Sequence, residues 1–182
     1  MKILFSTLFV LLSFSAMSFE KDGIKFEDKI QVQNTDLVLN GVGIRKATIF
    51  KIKVYYAGVY LTAKTNDAQK IMSMNGPKTM MLQFVHDVEP AKKLHEAFED
   101  AMENNYNDIA PFKPQMDKFK AILPAMKKGG KITFHFLNDS TLISINNGPE
   151  QKIEGAAFAK ALFSVWFANP IDEELKKGLL AL

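Results

Sequence analysis

The hydrophobic pattern along this chain has three regimes. In the first, Lys2 precedes an almost wholly apolar run, Ile3 to Leu12, and small residues follow at Ala16-Met17-Ser18. One positive charge, a short apolar stretch and a small-residue site form the pattern of a secretory signal, with cleavage expected after Ser18. The run is too short for a bilayer span, which takes about 20 residues. No cysteine follows it, so lipoprotein processing is not indicated.

The second regime reads as strand. Lys29 to Gln33 and Leu37 to Ile44 are short β-prone runs divided by Asn34-Thr35-Asp36, which has turn composition. Ile49 to Leu61 is rich in β-branched and aromatic residues. It becomes apolar on both faces after Tyr55, which predicts a strand buried on both sides. Thr65-Asn66-Asp67 predicts the start of a short helix to Met74. Asn75-Gly76-Pro77 ends it, and Lys78 to Val85 reads as the next strand.

Helical periodicity dominates the third regime. After Pro90, the residues Leu94, Ala97, Phe98, Ala101 and Met102 repeat at the spacing of one buried helical face. Pro114 opens another helix through Met116, Phe119 and Leu123. Gly129-Gly130 then breaks the chain. Ile132, Phe134 and Phe136 alternate as a strand, Asn138-Asp139-Ser140 turns it, and Thr141 to Ile145 returns as a hairpin partner. Gly155 precedes a helix with Phe158, Ala161, Leu162, Val165 and Trp166 on one face. Pro170 ends it, and Asp172 is placed to cap a final amphipathic helix. The expected class is α+β: a large antiparallel sheet with helices packed on one face.

Composition narrows the function. Residues 1–18 carry one lysine and no acid, so their loss takes the formal charge from +3 to +2. That is too near zero to suggest nucleic acid as a partner. Residues 19–182 suit one domain with a sizeable core. The absence of cysteine excludes disulfides, a thiol nucleophile and a zinc–thiolate site. His86, His95 and His135 are scattered without ligand spacing, so no metal is expected. No phosphate loop, dinucleotide fingerprint or nucleophile elbow is present, and no cofactor is expected. His86-Asp87 has the form of a base with an orienting acid, but the pair reads more simply as a strand end. The short charged start looks bacterial, which makes the periplasm the expected address, with secretion as the other route.

The stretch from Leu39 to Leu61 carries the most information. It joins Asn40-Gly41-Val42-Gly43-Ile44-Arg45 to the aromatic strand Lys53-Val54-Tyr55-Tyr56-Ala57-Gly58-Val59-Tyr60-Leu61. Together with the Asn147-Gly148 hairpin region and the helix around Ala161-Leu162-Phe163 with Trp166, it resembles the chalcone isomerase-like family from about Leu37 to the C-terminus. The resemblance implies an open-faced β-sandwich with a large curved sheet backed by helices. Carried over one residue at a time, the ring-closing site of true chalcone isomerases is mostly missing. The substrate-steering arginine falls on Arg45, but the threonine position falls on Tyr55. The window Asp87 to Met102 holds neither the tyrosine nor the asparagine of that site, and Phe158 and Ala159 stand near its last polar position. The implied protein is non-catalytic.

Fatty-acid-binding relatives of the same family keep the arginine and carry a tyrosine near the threonine position. The resemblance therefore implies that Arg45 and Tyr55 hold the carboxylate of a small apolar ligand. A guanidinium supplies a charged planar fork of donors and a phenol supplies one more. There is a geometric condition. Ten residues of unbroken strand span roughly 33 Å, so the two meet only if the chain reverses between Lys46 and Lys51, where no Gly or Pro stands. Other readings stay open here: Arg45 in an ion pair with Tyr55 as packing, an isomerase or lyase using Arg45 with unfamiliar partners, or an interaction module with a closed interior.

Overall fold

The structure is a computed structural model and describes residues 19–170 and 172–182. The expected signal segment, residues 1–18, lies outside the described residues. The described chain opens with two strands that the hydrophobic pattern does not predict, β1 (Phe19–Lys21) and β2 (Ile24–Phe26), paired as an antiparallel hairpin. They are too short to show a period.

Seven further strands form one antiparallel sheet whose spatial order is the chain order: β3 (Lys29–Val32), β4 (Thr35–Ala47), β5 (Ile52–Leu61), β6 (Lys78–Phe84), β7 (Lys131–Phe136), β8 (Ser140–Ile145) and β9 (Gln151–Glu154). Among the described residues, three α-helices are inserted in this meander and two follow it. α1 (Ala68–Ser73) lies between β5 and β6. α2 (Ala91–Glu103) and α3 (Lys113–Ile122) lie between β6 and β7, and α4 (Ala156–Ser164) and α5 (Glu173–Leu179) follow β9. No described helix is long and apolar enough to cross a membrane.

Most predicted elements are present, with shifted edges. Thr35 and Asp36 belong to β4, because the turn is made one residue earlier, where Gln33 takes a positive φ of 52°. β5 starts at Ile52, since Ile49 and Phe50 are spent on the reversal. β9 has no signal in the sequence, because three of its four residues are exposed and its one buried side chain, Ile153, gives no alternation to read. Asp67 and Asp172 cap α1 and α5 as expected, each carboxylate accepting two backbone N–H bonds.

Alternation assigns each strand residue to a face. Ala57, Val59, Met80, Leu82 and Phe134 point toward the helices and meet Leu94, Phe98, Phe119, Leu162 and Leu175. Aromatic rings anchor that core: Phe98 stands edge-on to Phe119 at 5.1 Å and to Trp166 at 5.9 Å. Tyr56 and Tyr60 point the other way and pack with Leu37, Leu39, Phe26 and Val32 beneath the β1–β2 hairpin. β5 is thus buried on both sides from Tyr55 onward, as its composition predicts.

The face away from the helices also holds a partly buried histidine, His135. Thr79 and His135 are cross-strand partners, with Thr79 Oγ1 2.8 Å from His135 Nδ1, and Glu150 Oε1 lies 3.4 Å from Nε2. Burial holds His135 below its ordinary value of 6.5, partly offset by the Glu150 charge. The native state therefore binds this proton more weakly than the unfolded chain. Its stabilising effect is present above pH 6.5 and is lost as pH falls through the depressed folded value. Denaturant unfolding at a series of pH values should show stability declining as soon as pH drops below 6.5. His135→Asn should flatten that first part of the decline and leave the later carboxylate-driven part unchanged.

Candidate functional site

The β4–β5 hairpin builds the site. Its reversal uses no glycine or proline: Thr48 and Lys51 take positive φ values of 64° and 51°. Such conformations are uncommon for residues with a Cβ, most of all for a β-branched one. The turn is held by Lys51 N donating to Thr48 O at 3.1 Å and Phe50 N donating to Thr48 Oγ1 at 3.3 Å. The reversal between Lys46 and Lys51 that the sequence required is therefore present, and it puts Arg45 and Tyr55 directly opposite each other.

A register shift follows at once. Lys46 pairs with Lys53 and Arg45 with Tyr55, so Val54 is left over as a bulge. Bulges re-aim side chains, and here Val54 and Tyr55 both reach the same cavity. The bulged carbonyl of Val54 accepts from the N–H groups of Val85 and His86, at 2.9 and 3.3 Å, which ties the end of β6 to the hairpin.

Arg45 stands between this cavity and α5. Its Nη1 lies 3.4 Å from Asp172 Oδ2 and also contacts the Lys46 carbonyl. Asp172 is a busy carboxylate. Oδ2 accepts from Lys46 N at 2.9 Å, and Oδ1 accepts from Glu174 N and Leu175 N at 2.9 and 3.1 Å. Lys46 reinforces the junction through Glu174, Nζ to Oε2 at 2.6 Å. Among the described residues the guanidinium bonds only through Nη1, so the Nε and Nη2 donors remain for another acceptor. Arg45 thus makes an ion pair and also lines the cavity.

Tyr55 is buried with its ring 5.4 Å from that of Phe84. Burial pushes its phenol up to about 12, while the Arg45 charge and the neighbouring Trp166 indole pull in the opposite direction. The hydroxyl therefore keeps its proton across physiological pH and has a hydrogen to donate. The Trp166 indole nitrogen is itself buried without a hydrogen-bond partner among the described residues.

The cavity has a volume of about 270 Å³. Val54, Val88, Leu94, Ala97 and Phe98 give it largely apolar walls, and Thr48, His86, Asp87 and Lys93 stand at its polar positions. Wider surface depressions occur, one of about 580 Å³, but charged residues such as Asp67, Lys160 and Lys176 line it. The α2 wall was visible in the sequence only as a core face. Ala97 has the spacing of a buried residue yet is exposed, because it borders the cavity instead of filling it. Its small size among Leu94 and Phe98 was the available signal. His86 and Asp87 both border the cavity, but Asp87 is engaged elsewhere. It accepts from Lys128 N at 2.8 Å and faces Lys127 Nζ at 3.4 Å. Among the described residues no group of three or more His, Cys, Asp or Glu side chains is arranged to hold a metal ion.

A comparison with curated proteins finds no match. Among solved structures, the chain is similar to a fatty-acid binding protein of Arabidopsis thaliana. The TM-score is 0.71 at 16% identity, covering 90% of this chain and 96% of that one. At this identity the likeness establishes the fold, and it agrees with the antiparallel sheet backed by helices. The family model of chalcone isomerase-like proteins matches residues 18–181. Nearly the whole length is therefore accounted for, and the chain belongs to the chalcone isomerase-like family.

Proposed function

We propose that this protein is an exported, non-catalytic family member that binds a small apolar carboxylate, such as a fatty acid, with Arg45 and Tyr55 as the carboxylate anchor. The observation that carries this reading is the cross-strand pairing of Arg45 with Tyr55 on a cavity with otherwise apolar walls. A charged fork and a protonated phenol are two kinds of donor suited to one carboxylate, and the apolar walls suit a hydrocarbon tail. The fatty-acid binding named for the structurally similar plant protein points the same way.

The isomerase reading gains one argument from the perturbed phenol beside Arg45, but the direction of the shift weakens it. A phenol held near 12 is a poor base at neutral pH. An interaction module with a closed interior fits less well, because about 270 Å³ stays open beside Arg45.

Native mass spectrometry of the protein purified from its source, followed by organic extraction, tests export and ligand together. The expected result is a chain beginning near Phe19 that carries an apolar acid. An empty protein that retains residues 1–18 would contradict both parts.

A further inference from the structure

Ile49 and Phe50 form the tip of the β4–β5 hairpin and are 89% and 80% exposed, more than any other large apolar side chain described. The tip is not loose chain, since the Thr48 backbone and hydroxyl hold it in place. Thr48 just before it and Ile52 two residues after it line the cavity. The apolar tip therefore lies beside the cavity.

Lys46 precedes the tip and Lys51 and Lys53 follow it on the same hairpin, and no acidic residue lies between Lys46 and Tyr55. Lys46 and Lys53 are engaged by Glu174 and Asp22, at 2.6 and 2.7 Å. Lys51 makes no ion pair among the described residues, although its charge reaches Glu174. Two side chains on a narrow turn offer far less than the roughly 800 Å² per partner of a stable protein interface. They suit shallow insertion into a lipid surface, where apolar side chains enter the acyl boundary and lysines meet anionic headgroups.

We infer that the Ile49–Phe50 tip seats in a lipid bilayer surface, so that the cavity exchanges its acid directly with the membrane. The direct-exchange part rests on the carboxylate-binding reading above; the docking part does not.

Flotation with vesicles of equal parts phosphatidylcholine and phosphatidylglycerol tests it, comparing wild type with an Ile49→Ser, Phe50→Ser double variant. Neither residue lines the cavity, so binding of a soluble medium-chain acid without vesicles should be unchanged in the variant. Wild type should float with the vesicles, and the double variant should partition at least about tenfold less, the loss expected from two withheld apolar side chains. Acid transfer from the vesicles should slow by a similar factor. Phe50→Trp should add a blue-shifted emission on vesicle addition. Wild type that stays with the soluble fraction, or a double variant that floats equally well, would overturn the inference. If neither protein binds acid in solution while only wild type floats, docking stands and the carboxylate reading fails.

Discussion

Gly43→Val is expected to destabilise the protein by about 3 kcal/mol or more, at or beyond the upper end of the usual range for overpacking. The reason is the contact between β4 and α5. A Cβ at Gly43 would lie 2.2 Å from the Leu175 carbonyl oxygen, and one at Gly41 would lie 2.4 Å from the Gly178 carbonyl oxygen. The fit is reciprocal, because a Cβ on Gly178 would lie 2.5 Å from the Gly43 Cα. These obstacles are backbone atoms, so no side-chain rotation relieves them. The whole helix must move, and Asp172 at its N-cap moves with it, away from Arg45. Asn40 completes the clamp by donating from Nδ2 to the Leu179 carbonyl at 2.8 Å and accepting from Thr65 N at 2.7 Å. Urea unfolding measures the effect. Gly43→Ala should fall between wild type and Gly43→Val, and a cost below about 1 kcal/mol for the valine would show that α5 docks less rigidly than described.

This clamp gives the glycines before Arg45 a physical role: they let a helix lie on a strand at backbone distance. In the sequence they were legible as a motif, while their partner, the glycine of the last helix, was not. The same division holds through the molecule. Strands with clear alternation, such as β7, helices with a periodic face, such as α2, and helices with an acidic cap, such as α5, could be read directly. What could not be read depended on partners distant in sequence or on unusual backbone. The reversal at Thr48 and Lys51 hides behind ordinary side chains that take a positive φ. The Val54 bulge exists only in the pairing of β4 with β5. The cavity opens because Ala97 leaves space that a larger residue on the same helical face would fill. The ion pair of Arg45 required Asp172 from 127 residues downstream, delivered by α5.

The second large effect is expected at the anchor. Arg45→Ala should weaken binding of an apolar acid by about 1.5–3 kcal/mol, the range for hydrogen bonds to charged groups. The variant should still fold, since Asp172 keeps its three backbone donors from Lys46, Glu174 and Leu175. Arg45→Lys should recover part of the loss, because an ammonium carries the charge but not the planar fork. Tyr55→Phe should cost less than Arg45→Ala, as it removes one neutral donor and keeps the ring packed on Phe84.

Calorimetric titration of wild type and Arg45→Ala with a series of saturated straight-chain acids tests the central claim most directly. Each added methylene should strengthen wild-type binding by about 0.8 kcal/mol while apolar space remains. Once the apolar space beside Val54, Leu94 and Phe98 is filled, affinity should level off with further chain length. The Arg45→Ala curve should run parallel and weaker throughout. A series in which no acid binds to wild type, or in which Arg45→Ala binds as tightly as wild type, would contradict the carboxylate pocket.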